Sequence, residues 1–305
     1  MILRVRHTTT YAYADRVELA AHLMHLRPRS LPWQRVLAFD LHAAPAPFRT
    51  TEAIDHFGNP VSCLFLGSAH KGLQVSTEAT IEVVRRLVPD ARATPAWERV
   101  ADLAKRPAAA TGAAEFTFGS ARAPIGETVR DWAAPSFPPG RAILAGTIDL
   151  MGRIAREFRF QPGITTVSTP IERVLQLRAG VCQDFSHLMI GGLRAMGLPA
   201  RYVSGYVRTW PPPGQPRRVG GDQSHAWVGC WLGPDHGWID LDPTNNLVVA
   251  DEHVVLGWGR DYSDVSPLSG VLLGGGAHTL AVSVDMEPVG DASHDHVMAV
   301  ARPGC

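Results

Sequence analysis

Over roughly the first 87 residues apolar and polar positions alternate with period two, the pattern of strands half buried in a sheet. "ILRVRHTTTYAY", "RVLAFDLHA", "PVSCLFLG" and "GLQVSTEATIEVV" are rich in β-branched residues and are broken by turn sequences such as "HFGNP". This spacing predicts a small antiparallel, sandwich-like β domain. Within it "ELAAHLMHLRP" fits either a short helix or an irregular strand. From about 88 to 140 the alternation gives way to Ala-, Pro- and Gly-rich sequence, which predicts short helices at the junction of two domains.

The period then becomes helical. "ILAGTIDLMGRIAREF" puts Leu144, Ile148, Met151, Ala155 and Phe158 on one face. "TPIERVLQLRAG" opens with Thr169, Pro170 and Glu172, a capping box with proline at the first helical position, and closes at Gly180. The next helix carries Phe185, Leu188, Met189, Leu193 and Met196 on one stripe and stops at Gly197-Leu198-Pro199. Strand-like "ARYVSGYV" follows, then a Pro/Gly/Arg loop, "RTWPPPGQPRRVGGDQ", and two strands, "SHAWVGCWL" and "GWIDLDPT", joined by the turn "GPDH". "HTLAVSVDME" is a last strand.

With 45% hydrophobic and 19% charged residues the chain can build an ordinary globular core. Lys+Arg and Asp+Glu number 29 each, so the charge balance offers no footprint for nucleic acid or an anionic membrane, and neither is expected as a partner. The opening "MILRVRHTTTYAYADRV" lacks the apolar run of a signal peptide, and no 18-residue apolar stretch follows, so a cytoplasmic protein is expected. Cys63, Cys182, Cys230 and Cys305 are far apart without a CxxC pair, which argues against a disulfide framework or a zinc knuckle. Cys63 reads as a buried strand residue; it and Cys305 are expected to be inert.

Cys182 is different. It lies directly behind a glycine turn at the start of a helix, where the dipole and free backbone N–H groups favour a thiolate. A thiol nucleophile needs a base, and an imidazole base needs a carboxylate to fix its tautomer. His225 and Asp242 are the candidates. If the two strands around "GPDH" pair Trp231 with His236, then Gly229 faces Trp238 and His225 faces Asp242. Asp240 has the same parity, would face Trp227, and remains a rival on pattern alone. Taken singly, a helix-start cysteine, a strand histidine and an aspartate before Pro-Thr each have an ordinary structural explanation. The joint arrangement points to chemistry. A zinc site at His225 and Cys230 is disfavoured by their isolation, and the HDH at 294–296 reads as a solvated tail. The glycine runs lack the lysine of a phosphate loop, and no calcium-loop pattern occurs. No metal and no cofactor are expected. Trp210, Trp227, Trp231, Trp238 and Trp258 crowd this half, either lining an acyl-donor groove or packing the core.

"RAGVCQDFSHLMIGGLRAMGLPARYVSGYV", "SHAWVGCWL" and "GWIDLDPTNN" resemble the three motifs of the transglutaminase-like superfamily. The Trp followed four residues later by Asp-Pro-Thr selects Asp242 over Asp240. "HTTTYAYADRV", "LRPRS" and "DHFGNPV" are similar to the N-terminal domain of bacterial transglutaminase-like proteins, and "GRDYSDVSPLSGV" to the segment that closes their core. The resemblance implies an α+β protein, a papain-like transglutaminase core behind an N-terminal antiparallel, sandwich-like β domain. Boundaries fall at 1–90 and 91–305, with core motifs over 169–245, a closing segment over 246–290 and a loose tail over 291–305. It implies a Cys182–His225–Asp242 triad that cleaves or transfers amide bonds of peptide or protein substrates through a thioester. Water as acceptor makes the enzyme a protease or amidase, the reading preferred here, and an amine makes it a transglutaminase. A peptide-binding module that keeps the triad as scaffold is the non-catalytic alternative. The Cys182 N–H would be one oxyanion donor, and Gln161 is a candidate for the second.

Overall fold

Strand β1, Ile2–Met24, carries two period-two patterns that do not share a phase. Leu3, Val5, His7 and Thr9 are buried in its first half, Ala20, His22 and Met24 in its second, and the pairing is irregular between Ala12 and Val17. The change of phase turns the strand, so one element serves two half-sheets. "ELAAHLM" is thus the continuation of a strand. A computed structural model describes residues 1–106, 112–209 and 223–289.

The other strands of this layer are β2 (Gln34–Ala44), β3 (Arg49–Ile54), β4 (Pro60–Leu66) and β5 (His70–Val83). The first half of β1 pairs with β5, and the second half with β4. Leu64 and Leu66 of β4, Leu73 and Val75 of β5, and Val17, Ala20 and Met24 of β1 pack together between the halves. Cys63 falls on the outward phase of β4 and is half-buried, because Leu64 and Leu66 take the positions facing the core between the halves.

Helices α1 (Trp97–Ala104), α2 (Glu127–Ala133) and α3 (Ile143–Glu157) follow. Ile143, Leu144, Leu150, Met151 and Ile154 form the buried face of α3, whereas Ala155 is exposed. Short strands β6 (Arg159–Phe160) and β7 (Ala179–Gly180) pair in parallel and bracket α4 (Ile171–Leu177). The capping box expected on α4 is absent: Thr169 Oγ1 instead accepts from the Thr166 N–H at 2.9 Å, and the helix ends at Arg178 in the left-handed region.

Helix α5, Cys182–Ala195, is buried from Asp184 onward and packs on a second sheet. That sheet is antiparallel, in the order β11 (Leu247–Val248), β10 (Trp238–Asp242), β9 (Gln223–Trp231), β8 (Ala200–Val207) and β12 (His253–Gly259). Its opposite side meets the first sheet through Tyr206, Val254 and Leu256 against Leu3, Val5 and Ile81. The last strands, β13 (Leu268–Gly274) and β14 (His278–Pro288), return to pair with β1. The segment 246–290 therefore divides between the sheets, β11 and β12 joining the second, β13 and β14 the first.

β12 is an edge strand, and the first layer covers its free backbone. Gln34 donates to the Val255 carbonyl and accepts from the Val255 N–H, both at 2.8 Å. Asn59 does the same at Trp258, accepting at 2.9 Å and donating at 2.8 Å. Two side-chain amides thus stand in for a neighbouring strand and block edge pairing. A Cβ at Gly257 would lie 3.0 Å from the Asn59 amide, so only glycine gives this approach comfortable room.

Candidate active site

Cys182 is the first residue of α5, a position whose backbone N–H has no acceptor within the helix. Asp184 shapes the turn before it, its Oδ2 accepting from the Val181 N–H at 2.8 Å and from Thr165 Oγ1 at 2.6 Å. Gly180 makes room for that carboxylate; a Cβ there would come within 2.9 Å of it. Burial raises the Asp184 pKa, opposed by the Thr165 and Val181 hydrogen bonds. The Gln161 N–H bonds the Gly180 carbonyl at 2.9 Å, so the backbone of Gln161 is tied two residues from Cys182 while its side chain is exposed.

His225 lies on β9 on the same side as Trp227, with Ala226, Val228 and Cys230 turned to the helical core. Its Nε2 is 2.8 Å from Asp242 Oδ2, and both groups are buried. Cys182 reaches the same imidazole closely enough to favour its protonated form. With Nε2 spent on Asp242, Nδ1 is the nitrogen left to meet the thiol.

The hairpin reaches this contact in a different register from the expected one. Trp238 pairs with Trp231, Asp240 with Gly229 and Leu241 with Val228. The connection is the longer loop Leu232–Gly237, closed by Leu232 N–H to Gly237 O and Gly237 N–H to Gly233 O at 2.8 Å each, with Gly233 and Gly237 at φ 102° and 63°. The register slips by two residues, an even number, so every side chain keeps its face. His225 and Asp242 meet as diagonal neighbours.

Asp240 points neither to Trp227 nor to solvent. Its Oδ2 accepts from Arg86 at 2.9 Å and its Oδ1 lies 3.8 Å from Arg201. Arg201 is stacked between Trp238 (4.3 Å) and Trp258 (3.7 Å), with Arg29 on Trp258 at 3.5 Å. The rival carboxylate belongs to a cation–π stack that joins the two sheets.

Asp242 is fully buried and is surrounded by donors. Oδ1 accepts the N–H groups of Thr244 (2.9 Å) and Asn245 (3.1 Å). Oδ2 faces His225, Asn245 Nδ2 at 2.7 Å and His253 Nε2 at 3.0 Å. His253 and Asn245 carried no signal in the sequence, since each becomes meaningful only once β12 and the turn after β10 are folded. Burial would raise the Asp242 pKa, but the His225 charge and the His225 and His253 hydrogen bonds hold it well below the usual carboxylate range. Burial would likewise depress His225, yet the Asp242 charge and hydrogen bond, with Cys182, raise it to about 10.

Ligand atoms of His225, Asp242 and His253 lie within 4.8 Å of one another, the one such trio among the described residues. Hydrogen bonding accounts for that closeness, because each imidazole directs Nε2 at Asp242. Cys230 bonds Thr147 at 3.8 Å on the far face of β9, and burial pushes its thiol up to about 12. Trp227 and Trp231 are core residues, and Trp238 and Trp258 belong to the arginine stack. Trp210, the HDH at 294–296 and Cys305 lie outside the described residues.

Residues 3–82 match the model of the bacterial transglutaminase-like N-terminal region, and residues 143–243 that of the transglutaminase-like superfamily. An uncharacterized protein of Mycobacterium tuberculosis, Rv2569c, is 40% identical over 301 residues, covering 95% of this chain and 94% of its own. The chain belongs to the transglutaminase-like superfamily. A crystal structure from Cytophaga hutchinsonii, of a protein named as a candidate cysteine protease, shares the fold with a TM-score of 0.73 at 20% identity, over 94% of this chain and 90% of that one. A protein-glutamine gamma-glutamyltransferase of Pseudomonas aeruginosa is 32% identical over 116 residues, 35% of this chain and 17% of that protein.

Proposed function

We propose that this superfamily member is a cysteine-dependent hydrolase of amide bonds in peptides or proteins, with Cys182 as nucleophile, His225 as acid and base, and Asp242 as the group that orients His225. The observation that carries the reading is the buried 2.8 Å contact of His225 with Asp242, with a helix-start cysteine meeting the same imidazole. The thiolate of Cys182 attacks the carbonyl carbon, and the oxyanion forms beside the free N–H groups at the start of α5. The carbon–nitrogen bond breaks as the His225 imidazolium gives its proton to the leaving amine, and a thioester remains. Water then loses a proton to His225 and attacks the thioester, and Cys182 leaves as thiolate. The fold shared with a protein named as a candidate cysteine protease supports hydrolysis.

A second reading keeps the same first half and passes the acyl group to an amine. The similarity to a gamma-glutamyltransferase, which covers 35% of this chain, favours it. A peptide library incubated with and without an added amine separates the two: cleaved peptides mean hydrolysis, peptide–amine adducts mean transfer. Either product must vanish in Cys182→Ala, and a rate unchanged in that variant refutes the assignment. The cytoplasmic setting read from the sequence belongs to the same proposal, since a reducing compartment keeps a half-exposed thiol usable.

A further inference from the structure

Asp242 is asked to hold His225, yet its Oδ2 faces two other donors. An oxygen with two lone pairs cannot bond His225, Asn245 and His253 at full strength together. His253 is the donor that nothing in the proposed chemistry uses. It opens β12, with side-chain exposure of 1%. Its Nε2 lies 3.0 Å from Asp242 Oδ2, and its ring meets Trp227 edge-on at 5.0 Å with planes 80° apart. Asp242 offers only acceptors, so Nε2 carries the proton, and Nδ1 has no partner among the described residues.

We propose that His253 is a positioning residue for the same reaction, donating to Asp242 and thereby setting how tightly that carboxylate holds His225. The proposal rests on the Cys182–His225–Asp242 reading above. The titratable groups on the carboxylate are His225 of β9 and His253 of β12, and beyond His225 stands Cys182 of α5. Tyr202 of β8 feels the Cys182 charge, but burial first and that charge second raise its pKa well above the ordinary value, so it stays neutral. Asp240, on the same strand as Asp242, is taken up by Arg86 and Arg201. Every hydrogen bond that His253 gives Asp242 withdraws electron density from the lone pairs left for His225. The imidazolium is then a strong enough acid to protonate a leaving amine. Without His253 the carboxylate binds the imidazolium more tightly, and the proton is released later.

The test is the pH dependence of iodoacetamide alkylation at Cys182 in the full chain. A thiolate–imidazolium pair gives two inflections, the upper one marking loss of the imidazolium proton. His253→Phe removes the donor and should raise the upper inflection by about one pH unit, a tenfold change in acidity. His253→Gln keeps an N–H donor and should return it toward the wild-type position. An upper inflection unmoved in His253→Phe, or moved equally in both variants, overturns the proposal. A single inflection near the free-thiol value in the wild type overturns the triad reading itself, and this inference with it. Should His253→Phe fail to fold, nitrogen-15 spectra of the wild type at pH 8 decide: the proton must sit on Nε2, and a proton on Nδ1 alone refutes the role.

Discussion

Asp240 and Asp242 lie on one strand, share a face and are both buried, yet they should fail in opposite ways when each is changed to Asn. In Asp242→Asn the charge that outweighs burial at His225 is gone, and burial then depresses the imidazole below its ordinary 6.5, from about 10. That fall exceeds ~3 decades in proton affinity, or about 5 kcal/mol at ~1.4 kcal/mol per decade. It matches the loss of ~10²–10⁴ in rate expected when a triad carboxylate becomes an amide and the wrong tautomer is held. With less positive charge held on the imidazole beside it, Cys182 should be alkylated more slowly by iodoacetamide at pH 8, and peptide turnover should fall with it. Asp240→Asn leaves Arg86 and Arg201 buried with an amide for a partner, a defect worth ~3–5 kcal/mol of stability. Urea denaturation should register that loss while the folded fraction keeps most of its turnover. Comparable rate losses at both positions, or Asp242→Asn alkylated as fast as wild type at pH 8, would refute the assignment of roles.

Cys182→Ala and Cys182→Ser should melt close to wild type, since Cys182 is half-buried at the helix start, and should form no acyl-enzyme on incubation with peptides; a covalent adduct at Cys63 or Cys230 would move the nucleophile elsewhere. The raised His225 pKa contributes stability that is fully present below about 6.5 and lost as pH rises through about 10, so urea midpoints should fall over that interval and the fall should vanish in His225→Gln. Asn59→Ala strips both bonds from Trp258 and one from Arg29 and should cost ~2–4 kcal/mol in urea titrations, with the activity of the folded fraction retained. EDTA and added calcium should leave turnover unchanged; a rate abolished by EDTA and restored by zinc would mean the chemistry was misread.

Residue type and parity carried most of what could be read in advance. The strand alternation gave the β layer, and the Gly-x-Cys turn put Cys182 at a helix start because few residues fit that turn. The face shared by His225 and Asp242 survived an error in register, since parity is fixed by the pleat while register is fixed by the loop, and Gly233 and Gly237 allow a longer loop than "GPDH" suggests. Only the resemblance to the family's Trp and Asp-Pro-Thr motif separated Asp242 from Asp240, and the reason Asp240 is buried lies in Arg86 and Arg201, which are remote in sequence. His253 was illegible for the same reason: its strand is hydrophobic on every side, so nothing local distinguishes a core histidine from one aimed at a carboxylate. Thr169 and Glu172 matched a capping pattern that does not form, because the Thr169 hydroxyl is spent on the Thr166 N–H in the loop before α4.

The pairing of β1 with β14 has a consequence for how the chain is made. Leu3 to Ala12 lie between β5, which follows within about 80 residues, and β14, whose partners are Pro288 back to Thr279. At a synthesis rate of ~5–20 residues per second, β14 emerges roughly 15–50 s after the strand it completes. Until then β1 exposes an open edge, while the strands of the second sheet, with His225, Asp242 and His253, have already emerged. Contacts of such long sequence separation are slow to form and leave strands vulnerable to pairing with other chains. A ribosome that stops after residue 260 would release every residue of the candidate site and still leave the β1 edge unclosed, so premature termination should show as aggregation before it shows as a loss of turnover.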